Sequence, residues 1–292
     1  MNDEKKAKLQ LILSMGIFGT IGIFVKYIDM PSSLIAMTRG ILGGIFVLLF
    51  MLFTKGRGDR QNTKKYLPKL IITGIVMAFN WICLFEAYNY TTVAIATLCY
   101  YMQPVFLTLA SPAVLGEKLS AKKVICVFIA LLGMAFVSGV FGSNGAAATK
   151  PIGIILGLVA GVLYTVVVLM NKKMTDMDSY EMTTSELLSA GLIMIPYCFL
   201  TGSFEGVQPT TLNLIMLMIV CFGHTGIAYV LYFGSFPKVK AQTVAIFGYI
   251  DPIVSIILSA LLLKEPFGIN CAIGAILILG STFISEYKPK QS

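Results

Sequence analysis

The residues of this chain best suited to chemistry are ionisable or amide groups set inside apolar sequence, and Asp251 is the first of them. It stands in "QTVAIFGYIDPIVSIILSALLLKE", residues 242–265, directly before Pro252. A carboxylate deep in hydrocarbon costs about 2.5–3.5 kcal/mol on insertion scales, so such an acid faces a partner or a polar cavity, where it can hold a proton or a cation. Pro252 removes a backbone donor, and a carbonyl one turn back, that of Phe247, is expected to lose its partner. A spacing of four puts Asp251, Ser255 and Ser259 on one helical face. The plainer alternative is a structural carboxyl that steadies a kink.

Gln103-Pro104 repeats the pattern in "YMQPVFLTLASPAVLGEK", residues 101–118, with Leu107 and Ser111 at the matching spacing. Tyr101 and Tyr249 each stand two residues before the polar position and are candidates to line a cavity, with ordinary packing as the alternative. His224 is the sole histidine. Its imidazole can change charge near neutral pH, which suits a proton relay; a hydrogen-bonded packing residue is the competing assignment. Glu86, with Asn80, Trp81 and Tyr88 on nearby turns, offers negative charge and ring faces to a cationic amine, although interfacial aromatics also serve as membrane-belt residues. Arg39 is expected to snorkel or to pair with Glu86. Glu117 and Glu265, at helix ends, are expected to hold helix-end contacts rather than a ligand. The six cysteines have unrelated spacings and suit buried thiols better than a disulfide or metal framework. No metal or cofactor is expected.

The elements that must position these groups are membrane helices. The chain has 292 residues, 57% of them hydrophobic and 12% charged, with a mean hydropathy of +0.85. Ten apolar runs have the length of a span, near 9–28, 32–53, 68–88, 92–115, 121–141, 151–170, 182–201, 211–234, 242–263 and 267–286. The first run is too long for a signal-peptide core and lacks a small-x-small cleavage site after it. With the N-terminus cytoplasmic, 18 of the 22 Lys and Arg residues fall on the cytoplasmic side, so both termini are expected there. The net charge of +8 is therefore a topology signal and not a nucleic-acid footprint.

Residues 101–118 align without gaps on 249–266 at a constant offset of 148, with Tyr101, Pro104, Ser111, Leu115 and Glu117 meeting Tyr249, Pro252, Ser259, Leu263 and Glu265. Helix four thus matches helix nine. An odd separation reverses direction in the membrane, so the expected fold is an all-α integral membrane protein of ten transmembrane helices in two inverted five-helix repeats, residues 7–141 and 151–287. The stretch "FGSNGAAATKP" at 141–151 is the natural boundary. Inverted repeats recur in secondary transporters, with the site near the midplane where the halves meet.

Over residues 9 to 286 the chain resembles the EamA family of the drug/metabolite transporter superfamily. The strongest shared motif is a helix with a central xP and a terminal GE, present as Gln103-Pro104 with Gly116-Glu117 and as Asp251-Pro252 with Lys264-Glu265. In the second copy Asp stands where the family more often has Glu, and Lys replaces Gly. The resemblance implies a transporter that exports a small metabolite, amino-acid or amine-like, by proton antiport and alternating access. Uptake of a cationic or zwitterionic solute and a non-transporting scaffold stay open beside it. The expected partners are a small-molecule substrate, the lipid bilayer and protons, with no nucleic acid. The expected state is a monomer or weak homodimer in the plasma membrane, the inner membrane of a bacterium. An intramembrane enzyme is disfavoured, because there is one histidine for a zinc site and no second intramembrane Asp for an acid dyad. No Walker-type phosphate loop is present to drive transport with ATP.

The candidate constellation carried below is therefore Asp251, Gln103, His224, Glu86, Tyr101, Tyr249, Asn80, Trp81 and Ser255, with Pro104 and Pro252 as kinks and two glycine ridges, Gly153-Gly157-Gly161 and Gly40-Gly44, as packing surfaces.

Overall fold

A computed structural model describes residues 3–54, 60–116, 119–138, 150–235, 238–239 and 241–286. Glu117 and the connection at 141–149 lie outside them. Apolar sequence that excludes water must satisfy its backbone internally, and among the described residues every regular element is helical. The order is α1 (Asp3–Lys26), α2 (Ser32–Thr38), a π-helical turn (Arg39–Gly43), α3 (Gly44–Thr54), α4 (Arg60–Tyr90), α5 (Val93–Tyr100), α6 (Gln103–Leu115), α7 (Ala121–Val137) and α8 (Pro151–Asn171). Then come α9 (Ser179–Leu200), α10 (Thr211–Met218), a second π-helical stretch (Ile219–Ile227), α11 (Ala228–Ser235), α12 (Ala241–Gly248), α13 (Ile250–Leu261) and α14 (Ile269–Glu286). Local chemistry sets several starts. Ser120 accepts from Lys123 N at 3.3 Å, Asp178 from Tyr180 N at 2.9 Å, and Thr210 with Asn213 forms a reciprocal capping box.

Seven helical stretches are long and apolar enough to cross a membrane, and two shorter apolar ones, Ile246–Leu261 and Ile269–Ser285, accompany them. Large apolar side chains face outward, as at Phe53 (86% exposed), Phe128 (67%) and Ile276 (73%), which is what a lipid-facing surface requires. The molecule is a multi-pass, all-helical membrane protein.

Helix pairing has a regularity that the residue numbers expose. Helix α1 lies against α13 and α8 lies against α6; α4 lies against α8 and α1 lies against α11; α7 lies against α14; α2 and α3 lie against α9. Adding or subtracting 148 carries each pairing into another of the set or into itself. The sequence offset found at one helix thus also relates these helix pairings.

Glycine ridges make these approaches close. On α8, a Cβ added at Gly157 would meet the Cys99 Cβ at 2.7 Å, and one at Gly161 the Tyr100 carbonyl oxygen at 2.9 Å. On the second run, a Cβ at Gly40 would meet the Gly191 nitrogen at 2.6 Å. Both ridges are contact surfaces for neighbouring helices, α5 and α9, as small residues in membrane helices generally are.

Candidate functional site

The candidate site begins at two helix interruptions. The runs expected at 92–115 and 242–263 as single kinked helices are each two helices, broken at Tyr101–Met102 and at Tyr249. The physical reason is the proline. Pro104 and Pro252 sit in the first turns of α6 and α13, a place that proline's fixed φ suits, and each removes the N–H that would have bonded back across the break. The carbonyl freed by Pro252 is that of Gly248, four residues back, and not that of Phe247. The Tyr101 hydroxyl donates to it at 3.4 Å. A side chain from one interruption therefore reaches the open backbone of the other. Asp251 lies in the first turn of α13, at the positive end of that helix, where a carboxylate is favoured.

The two interruptions border a cavity of about 540 Å³, lined by Tyr101, Gln103, Pro104, Tyr249 and Asp251 together with Phe18, Tyr100, Tyr164, Tyr229 and Tyr232. Its size is that of a small-molecule site, typically about 300–1,000 Å³. A smaller cavity of about 120 Å³ shares Tyr101 and Asp251 and is lined as well by Arg39, Trp81 and Ser255. The rings are mutually fixed: Tyr100 and Tyr164 centroids are 5.6 Å apart, and Phe18 meets Tyr229 edge-on at 5.3 Å. Thr165 donates to the Gln103 carbonyl at 3.2 Å, and Ser255 shares a hydrogen bond with Thr97 at 3.0 Å. An acid, an amide and several ring faces converge, an arrangement that accepts hydrogen-bond donors and cations.

Of the other residues singled out in the sequence, His224, Glu86 and Asn80 stand apart from both cavities. His224 is 2% exposed inside the π-helical stretch. Its Nε2 meets the Thr20 hydroxyl at 2.8 Å and its Nδ1 the Ile219 carbonyl at 3.3 Å, with the ring edge on Phe24. The Thr20 hydroxyl also directs its proton to the Ile17 carbonyl at 2.8 Å, so the two ring contacts compete for protons and the tautomer sets which nitrogen donates. Asn80 Nδ2 donates to the Ala160 carbonyl at 2.6 Å and ties α4 to α8. Glu86 accepts from Ser32 Oγ at 3.0 Å and from Asn89 Nδ2 at 3.3 Å.

Arg39 neither snorkels nor pairs with Glu86. It is buried, donates from Nε to Thr225 Oγ1 at 2.7 Å, and lays its guanidinium 4.2 Å from the centre of the Trp81 ring. Glu265 holds a helix end as expected: it accepts from Val93 N at 2.7 Å and Ser259 Oγ at 2.5 Å, and Lys26 Nζ is 3.3 Å away. It thereby caps the start of α5 from the far end of α13.

Sequence inspection passed over Tyr100, Tyr164, Tyr229, Asn171 and Glu186, which also line the larger cavity. For Glu186 the available signal was an acid inside an apolar run; the tyrosines carry none that separates them from packing residues. Among the described residues no group of three or more His, Cys, Asp or Glu is gathered to hold a metal ion, and all six cysteines are free.

The profile of the EamA-like transporter family matches residues 5–139 and again 151–287. An uncharacterised transporter of Bacillus subtilis, YxxF, is 28% identical over 87% of this chain and 81% of its own length. An uncharacterised transporter of Archaeoglobus fulgidus is 25% identical over 94% of each chain. A crystal structure with 19% sequence identity superposes with a TM-score of 0.67 over 96% of both chains, a likeness of fold.

Proposed function

Because the chain belongs to the EamA-like transporter family, we propose that this membrane transporter is a secondary active exporter of a small amino-acid or amine-like metabolite, working by proton antiport and alternating access. The observation that carries this is the cavity of about 540 Å³ bordered by both helix interruptions, with Asp251 on its wall. Asp251 would hold the proton or the cationic group of the cargo, Gln103 would orient the cargo from the other interruption, and Tyr101 and Tyr249 would line its path.

The reading includes ten spans in two inverted five-helix repeats, residues 7–141 and 151–287, with both termini cytoplasmic, in the plasma membrane of a bacterium. It is supported by helix pairings that exchange under a shift of 148 residues and by the bias of Lys and Arg toward one set of loops. Alternating access in such folds is largely a rocking of one repeat against the other around a fixed site.

The test is flux in proteoliposomes with a panel of amino acids and amines, with and without a pH gradient. Saturable flux that rises with the gradient and is lost in Asp251→Asn supports the proposal. Saturable flux that ignores the gradient removes proton coupling, and no flux of any amine or amino acid removes the cargo class.

A further inference from the structure

Asp251 is not the only acid on the wall of the larger cavity. Asn171 closes α8 and Glu186 stands in the second turn of α9, and both line that cavity. Glu186 is 1% exposed. Asn171 Nδ2 donates to Glu186 Oε2 at 3.4 Å, which leaves Glu186 Oε1 and Asn171 Oδ1, together with the Thr184 hydroxyl on the same helix as Glu186, as buried polar atoms with no hydrogen-bond partner among the described residues. The Thr73 hydroxyl beside the carboxyl directs its own proton to the Lys69 and Leu70 carbonyls at 3.0 Å. Lys172, on the same cavity, has interactions of its own.

Two of these orphaned oxygens specify what is missing. A carboxylate and an amide oxygen only accept, so their complement is a donor, and a positively charged donor also offsets the buried carboxylate. A primary ammonium carries several donors on one centre and also suits the tyrosine faces of Tyr164 and Tyr229, which line the same space. We propose that Glu186 and Asn171 form an ammonium-binding site, so that the cargo docks a primary amine there, on different helices from the Asp251 interruption. The inference rests on the transporter reading above and adds the site at which the cargo's amine docks.

The test uses the purified full-length protein in detergent, titrated calorimetrically with butylamine, 1,4-diaminobutane and the uncharged analogue butanol. Butylamine and diaminobutane bind and butanol does not. Glu186→Gln, which keeps the shape and removes the charge, weakens amine binding about ten- to a hundredfold, the range for a charge-assisted hydrogen bond. Glu186→Asp keeps most of the affinity, and an unchanged melting temperature of each variant shows that the fold is intact. Glu186→Gln binding butylamine as the wild type does, or butanol binding as well as butylamine, overturns the site. If butylamine is carried in proteoliposomes by Glu186→Gln with unchanged affinity but not by Asp251→Asn, the ammonium site falls and the transporter reading stands. If the wild-type protein neither binds nor carries any amine, the cargo class falls with it.

Discussion

Gly116 and Lys264, 148 positions apart, follow α6 and α13 in the same left-handed backbone, with φ of 68° and 52°. Glycine adopts that conformation freely, whereas an L side chain there costs about 1–2 kcal/mol. Lys264 is exposed. Lys264→Gly is therefore expected to raise stability by up to about 1 kcal/mol, once the greater freedom of glycine in the unfolded chain is set against the relief of strain. Gly116→Val lowers it by a similar amount. Thermal unfolding in detergent reads both changes.

Glu265, next to Lys264, ties α13 to α5 through Val93 N and Ser259 Oγ. Glu265→Ala strands a backbone N–H at the start of a helix, and a loss of about 1.5–3 kcal/mol is expected. The same unfolding measurement checks it, with Glu265→Gln losing less because its amide oxygen still accepts.

Gly19 faces the interruption from α1. A Cβ there would lie 2.5 Å from the Asp251 carbonyl oxygen and 2.7 Å from the Val254 Cβ, so α1 or α13 must shift. Gly19→Ala is expected to cost about 1–3 kcal/mol. It also lowers flux, whereas Gly16→Ala, where a Cβ meets nothing within 4 Å, leaves both unchanged.

Asp251→Asn keeps the size of the side chain and removes its charge. Cargo affinity falls about ten- to a hundredfold, the range for a charge-assisted hydrogen bond, and gradient-driven flux is lost with the group that takes the proton. Gln103→Ala, which removes only a neutral amide, falls less. Initial rates in proteoliposomes at two pH gradients separate the two.

Outside the spans, Asp176 accepts from Lys65 Nζ at 2.7 Å and from the Tyr66 hydroxyl at 2.5 Å, with Lys65 the larger influence, and its carboxyl is lowered to about 2. A depressed value stabilises the folded state above the ordinary Asp range near about 3.9 and is lost as pH falls toward the folded value. Asp176→Asn is thus expected to be slightly less stable than wild type at pH 5–8, with the difference vanishing by about pH 2 and shrinking in high salt. The pair is well exposed, so the effect is small. Melting curves against pH and salt measure it.

Composition and repetition made the membrane class, the helical runs and the 148-residue relation readable in one dimension, because a bilayer demands long apolar helices and a repeat leaves its pattern in residue types. The polar pair Asp251 and Gln103 was visible for the same reason, as exceptions in apolar sequence. Which exceptions meet was decided only by tertiary packing. His224 and Asn80 found partners on helices far away in sequence, Arg39 found Thr225 and Trp81 instead of Glu86, and Glu186 reached the cavity that Glu86 did not. A polar residue inside a membrane must find some partner, and the sequence states that need. The partner is set by which helix faces adjoin, and that depends on contacts between residues tens to hundreds of positions apart.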